Sequence, residues 1–305
     1  MLTSARVATP PGAPGDTLWE ALAGLVTSML ECARGAVPGG PVTGDAGDAG
    51  DGGDGGDGGV AGVAACGVGC GGPMTPDAQT VSPLNIPGWR DFPLRARLAE
   101  LTGLPTFVDN DAKALALAEG WCGAAIGCAE YLAMVVSTGV GGGIVLDGKL
   151  LDGRLGNAGH IGHLVVEPEG RRCACGGRGC LEAEASGTAI AAITGRPAAE
   201  APAEVVERAG TLVGRAIASV AALLDLELAV VSGSVALGYG EPFFDAARRE
   251  LKERARISFA AAARIVPGSL GAAGPLVGAG AVGLRGIHRR ADLRGVCPET
   301  GAAAP

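Results

Sequence analysis

Aromatic side chains are scarce in this 305-residue sequence: five Phe, three Trp and two Tyr make up 3% of the chain. With hydrophobic residues at 48%, a core must be filled by Ala, Val and Leu, glycine allowing close backbone approach. Positive charge is short as well, at 24 Lys and Arg against 32 Asp and Glu, and the net charge of −8 argues against nucleic acid as a partner. No basic segment followed by an apolar core opens the chain, so no secretory signal is expected and the cytoplasm is the expected location. An uninterrupted apolar span is lacking too. Residues 265–284 would be long enough to cross a bilayer, but Pro267, Pro275 and six glycines make a poor membrane helix, so no membrane partner is expected.

What is plentiful is glycine, with 54 residues, and the nine cysteines are unusual for a chain without an export signal. An odd number in a reducing compartment speaks for metal binding over disulfides. Cys32, Cys66, Cys70, Cys122, Cys128 and Cys297 are scattered among apolar or glycine-rich residues and read as small buried hydrophobes.

Along the chain, residues 2–8 read as a short strand, and a helix from Asp16 to about Gly35 has apolar residues on a 3.6-residue period. The Asp/Gly repeat 44–59 can bury no apolar surface and reads as a disordered loop insert rather than a calcium loop. Strands are expected at 60–68 and 106–108, helices at 93–101 and 112–121, and a hairpin of two apolar strands over 131–150. A helix over 203–224, a strand at 228–231 and a helix over 243–254 then alternate in α/β fashion. Two α/β lobes are expected, 1–118 and 119–305, with the last helix packing back on the first lobe.

Most matches to phosphate-loop patterns are noise in so glycine-rich a chain. Gly67-Val68-Gly69-Cys70-Gly71-Gly72 fits G-x-G-x-x-G, but Pro73 and Pro76 follow where a helix is needed. Ser137-Thr138-Gly139-Val140-Gly141-Gly142-Gly143 differs, because it joins two apolar strands across a tight turn. Such a turn can aim successive N–H groups into an anion cradle, with Thr138 donating a further bond; a plain glycine-rich hairpin is the alternative. A second turn, Ser232-Gly233-Ser234, follows a strand end and could accept a nucleotide.

His163, Cys173, Cys175 and Cys180 give H-x9-C-x-C-x4-C, four soft ligands with glycines between them. Three thiolates and one imidazole complete a tetrahedral zinc shell, and a closed shell makes that zinc structural. The run CACGGRGCLE, preceded by GNAGHIGH and STGVGGG, resembles the ROK family of sugar kinases and sugar-responsive repressors. CGVGCGGPM, NIPGW, VDNDAKALALAEG and VVSGSVALG resemble that family's sugar-side turn, following loop, catalytic segment and adenosine-side turn.

The resemblance implies an α/β, two-lobed, actin-like ATPase fold (duplicated ribonuclease-H-like) closing on ATP, Mg2+ and a hexose, with a zinc loop over 160–182 and a homodimer as the assembly. It implies Asp111 as the general base, although a helix cap is what the residue alone suggests. Sugar contacts are implied for Asn110, His160, His163, Glu182, Gly71 and Gly72, and ATP contacts for Thr138, Gly139, Gly141, Gly142 and Gly233. His160 stands where the family usually has Glu, which bears on sugar choice. The family's opening Asp-x-Gly-Gly-Thr loop, for phosphate and magnesium, is missing, and the expectation is that Met1 is not the native start. A repressor would need a basic helix-turn-helix, which is not found here. A non-catalytic sugar-binding protein is the other alternative to a hexose kinase.

Overall fold

The computed structural model describes residues 3–9, 12–36, 63–84 and 86–287. The Asp/Gly repeat, residues 60–62 of the expected second strand, Asn85 of NIPGW and Cys297 lie outside the described residues. The elements run α1 (Gly15–Ala36), β1 (Cys66–Cys70), α2 (Leu94–Thr102), β2 (Thr106–Asn110), α3 (Asp111–Cys122), β3 (Tyr131–Val136), β4 (Val140–Leu146) and β5 (Lys149–Leu150). Then follow α4 (Leu181–Ala185), α5 (Gly187–Thr194), α6 (Ala203–Leu224), β6 (Leu228–Ser232), α7 (Ser234–Tyr239), α8 (Glu241–Arg254), β7 (Arg264–Pro267) and α9 (Gly274–Ile287).

Two expectations need correction. Residues 3–9 form no strand and are exposed; the three apolar residues Ala5, Val7 and Ala8 do not make a strand without a neighbour to bond. The segment 131–150 folds as three strands, because turns at 137–139 and at Asp147-Gly148 both reverse the chain.

One sheet has the order β5-β4-β3-β6-β7, antiparallel through β3 and parallel from β3 to β7. On one side α6 and α8 cover it with Leu212, Val213, Phe243 and Phe244, each at most 2% exposed. On the other side α3 and α9 pack with Ala114, Ala116, Ala281 and Val282 against Ala133 and Val230. Small residues suit this layer, since they let helix and sheet backbones approach closely.

The second sheet pairs β1 and β2 in parallel, Cys66 against Thr106 through Cys70 against Asn110. Here the scarce aromatics gather: Trp89 and Phe92 stack at 4.4 Å beside Leu18, Leu94 and Leu98. On its other side α9 lies so close that a Cβ at Gly67 would overlap the carbonyl oxygen of Ala279. Among the described residues, no helix is long and apolar enough to cross a membrane.

Candidate active site

Strand β2 runs directly into α3, and the two residues at that junction divide their work. Asn110 is the N-cap: in extended conformation, its Oδ1 accepts from the backbone N–H of Ala112 at 3.0 Å and of Lys113 at 3.2 Å. Asp111 begins the helix, with its Oδ1 accepting from Ala112 N–H at 2.9 Å. It keeps an open face toward solvent. The crowding of protein around it pushes its carboxyl above the usual carboxylate range, against the opposing pull of backbone N–H groups and the nearby His160.

Three elements bring candidate sugar contacts together. Gly71 and Gly72 follow the end of β1, and a Cβ on Gly72 would lie 3.2 Å from His160 Cε1 and 3.5 Å from Asn110 Nδ2. Glycine at 72 therefore keeps open the space that His160 and Asn110 face. Burial lowers the pKa of His160, with the His163 charge adding to it and Asp111 and Glu182 opposing it, which favours a neutral imidazole.

The expected phosphate turn is shorter than its glycines suggest. The turn itself is 137–139, whereas Gly141 and Gly142 sit inside β4, opposite Val135 and Met134. Cβ atoms there would press on Ala112 and Ile161, so these glycines let α3 and the 161–163 turn approach the sheet. The turn's first acceptor is already present: Glu182, from the first turn of α4, takes the Val140 N–H at 2.9 Å. Ser137 Oγ lies 2.9 Å from Ser234 Oγ, which joins the Thr138 turn to the Gly233 turn. Thr138 offers its carbonyl to both the N–H and the hydroxyl of Thr188.

The His/Cys cluster forms as its spacing requires. The donor atoms of His163, Cys173, Cys175 and Cys180 lie within 4.8 Å of one another. His163 Nδ1 is 3.7 Å from Cys173 Sγ, and Cys175 Sγ is 3.8 Å from Cys180 Sγ. That sulfur separation matches the edge of a tetrahedral shell with metal–sulfur bonds of about 2.3 Å and is far too long for a disulfide. These residues could hold a metal ion. Behind them Glu184, fully buried, receives Arg171 at 2.8 Å and Arg208 at 2.7 Å, tying the loop to α6.

Reasoning from sequence missed Glu184 and a second set of charges: Lys113, Asp109, Asp152 and Arg285. The signal available was Lys113 itself, a charged residue on the inward side of an apolar helix with Asp109 four positions before it, but Asp152 and Arg285 are distant in sequence.

Comparison with known proteins places this geometry. An N-acetylmannosamine kinase from Citrobacter koseri is 42% identical over 175 residues, covering 52% of this chain and 60% of that protein, so the chain spans well under two thirds of that curated relative. A ROK hexokinase from Thermus thermophilus superposes with a TM-score of 0.69 at 34% identity, over 93% of this chain and 90% of that one. A ROK family glucokinase from Streptomyces griseus, solved in complex with glucose and AMPPNP, gives 0.68 at 28% identity, over 92% and 90%. The architecture is thus the α/β, actin-like ATPase class of these hexokinases. The sequence pattern described as ROK family matches residues 57–285, which include β1, the β2–α3 junction and the His/Cys loop. On that pattern and that fold together, the chain belongs to the ROK family.

Proposed function

We propose that this chain transfers the γ-phosphate of ATP to a hydroxyl of a hexose. The observation that supports this best is the convergence of Asn110 and His160 on the open space at Gly72, with Asp111 next to Asn110 in the chain and within electrostatic reach of His160. In this reading a sugar hydroxyl lies against Asp111. As its oxygen attacks the γ-phosphorus, the bond to the bridging oxygen of ADP breaks and the hydroxyl proton passes to the carboxylate. A raised pKa suits that work, since it makes the carboxylate a better proton acceptor near neutral pH. Asn110 and His160 orient the sugar by hydrogen bonds, and neutral His160 can both donate and accept.

ATP fits against the joined turns at Thr138–Gly139 and at Gly233, with Mg2+ accompanying its phosphates. Glu182 takes a supporting role here, because its carboxylate already holds Val140 N–H; a direct sugar contact would use its other oxygen. Zinc would be held by His163, Cys173, Cys175 and Cys180. A four-ligand shell supplies no open position, so its contribution is to fix the loop that presents Glu182 and His163. The reading also includes two lobes closing on the substrates and a homodimer, which rest on resemblance to the family, and a cytoplasmic location.

A coupled assay with ATP and a panel of glucose, mannose, N-acetylmannosamine and fructose tests it. Turnover of at least one hexose is expected. A well-folded protein with no turnover and no hexose binding would overturn the reading.

A further inference from the structure

Between β5 and the 161–163 turn, residues 152–159 form a loop that closes on itself and is fastened at two places. The carbonyl of Asp152 accepts from Ala158 N–H at 3.0 Å, which joins the two ends of the loop, and His160 follows two residues later. At one fastening, Asn157 clamps the backbone of Met74: its Oδ1 accepts from Met74 N–H at 3.2 Å and its Nδ2 donates to Met74 O at 3.0 Å. Met74 lies two residues after Gly72, so this clamp spans from the His160 side of the sugar space to the glycine side.

The other fastening is ionic. Lys113, with a side chain only 2% exposed, reaches Asp152 at 2.8 Å, Asp109 at 3.1 Å and the Gly156 carbonyl at 3.1 Å. Arg285 of α9 bridges the same two carboxylates, at 2.8 Å to Asp152 and 3.2 Å to Asp109. Lys113 is one half-turn from Asp111 on α3, so Asp152 ties the loop to the helix that presents the candidate base. Packing does not hold Asp152: its side chain is half exposed and borders a cavity of about 300 Å³ lined also by Arg95, Arg154 and Leu155. The two cations offset partial burial and hold its carboxyl below the usual range.

We propose that Asp152 is a positioning residue for the sugar: its bridges to Lys113 and Arg285 set the place of His160 opposite Gly72 and Asn110. The nucleotide turns at Thr138 and Gly233 touch none of these bridges, so the effect belongs to the sugar side. This inference rests on the hexose kinase reading and adds to it a residue that does not itself touch substrate.

Calorimetric titration of glucose, N-acetylmannosamine and, separately, ATP into the full chain tests it, with Asp152→Asn and Arg285→Gln compared at one temperature below both unfolding transitions. Asp152→Asn is expected to weaken binding of the preferred hexose by at least about tenfold, as a shift on the order of 1 Å at an orienting group does, with ATP affinity within twofold. Arg285→Gln removes the Arg285 pairs to Asp152 and Asp109, leaves Lys113 in place and is expected to act in the same direction by less; it serves if the first variant fails to fold. Unchanged hexose affinity in the folded variants, or equal weakening of hexose and ATP, overturns the inference while leaving the kinase reading intact. Absence of hexose binding by the unmodified chain overturns the kinase reading first and the inference with it.

Discussion

Replacing Asp111 by Ala separates the two roles that its position allows, helix cap and general base. Asn110, not Asp111, is the N-cap, and its two bonds to Ala112 and Lys113 survive the change. What α3 loses is one carboxylate in its first turn, worth about 0.3 to 1 kcal/mol against the helix dipole. An opposing effect is also removed. The folded-state pKa of Asp111 is raised, so ionising it at neutral pH costs stability that Ala no longer forfeits. The net change in stability should therefore be under about 1 kcal/mol, a shift in melting temperature of about 2 to 4 °C or less in either direction. Loss of a general base removes about 10²- to 10⁴-fold in rate, or about 3 to 5 kcal/mol of transition-state stabilisation. Steady-state kinetics with ATP and the preferred hexose, alongside thermal denaturation, reads both quantities. Hexose affinity should stay within a few-fold, since Asn110 and His160 remain. Turnover within tenfold of the unmodified protein, or a fall in activity matched by a drop of more than about 8 °C in melting temperature, would leave Asp111 a structural residue of the first turn and not the base.

Purified protein is expected to hold one zinc per chain, read by metal analysis, with Cys175→Ser losing both the metal and hexose binding; protein without zinc would refute the donor assignment. His160→Glu should reorder kcat/KM among hexoses, since a carboxylate satisfies different hydroxyls from a neutral imidazole, and an unchanged ranking would count against it. Burial raises the pKa of Glu184, but the Arg171 backbone N–H and the Arg208 and Arg171 side chains more than offset it, as Lys113 and Arg285 do for half-exposed Asp152, so both have depressed folded pKa values. Their stabilisation is complete above the ordinary carboxylate pKa and is lost as pH falls through the lower folded values. Urea unfolding between pH 7 and pH 3 should show that loss, with a shallower acid limb in Glu184→Gln. Gly67→Ala, which drives a Cβ into α9, should cost about 1 to 3 kcal/mol, whereas Gly24→Ala on open α1 surface should be neutral or stabilising in the same melt.

Much of the chemistry was legible from local spacing. The ligands of the His/Cys cluster fall within 18 residues, so short glycine-rich loops leave few ways for them to stay apart. Helix α6 was readable to the residue, 203–224, because its apolar period, the preceding Pro202 and the left-handed Asp225 that ends it are all local features. The cap of α3 was legible only to within a residue: Asp111 alone reads as one, but Asn110 is the N-cap that takes the N–H groups of both Ala112 and Lys113.

Strands and ion pairs obey a different rule, because their partners lie far along the chain. Residues 3–9 resemble a strand in composition and form none, since a strand exists only through a neighbour. Gly141 and Gly142 look like part of an anion loop until α3 and Ile161 are seen to press against them. Sequence alone carried the spacing of the His/Cys cluster and the α/β alternation, both of them local patterns along the chain. Only tertiary structure decided that Glu182 reaches Val140, 42 positions away, and that Asp152 meets Lys113 and Arg285 across 39 and 133 positions. Closing such distances is the work of the whole packed fold, and no short pattern of residues encodes which two charges it will bring together.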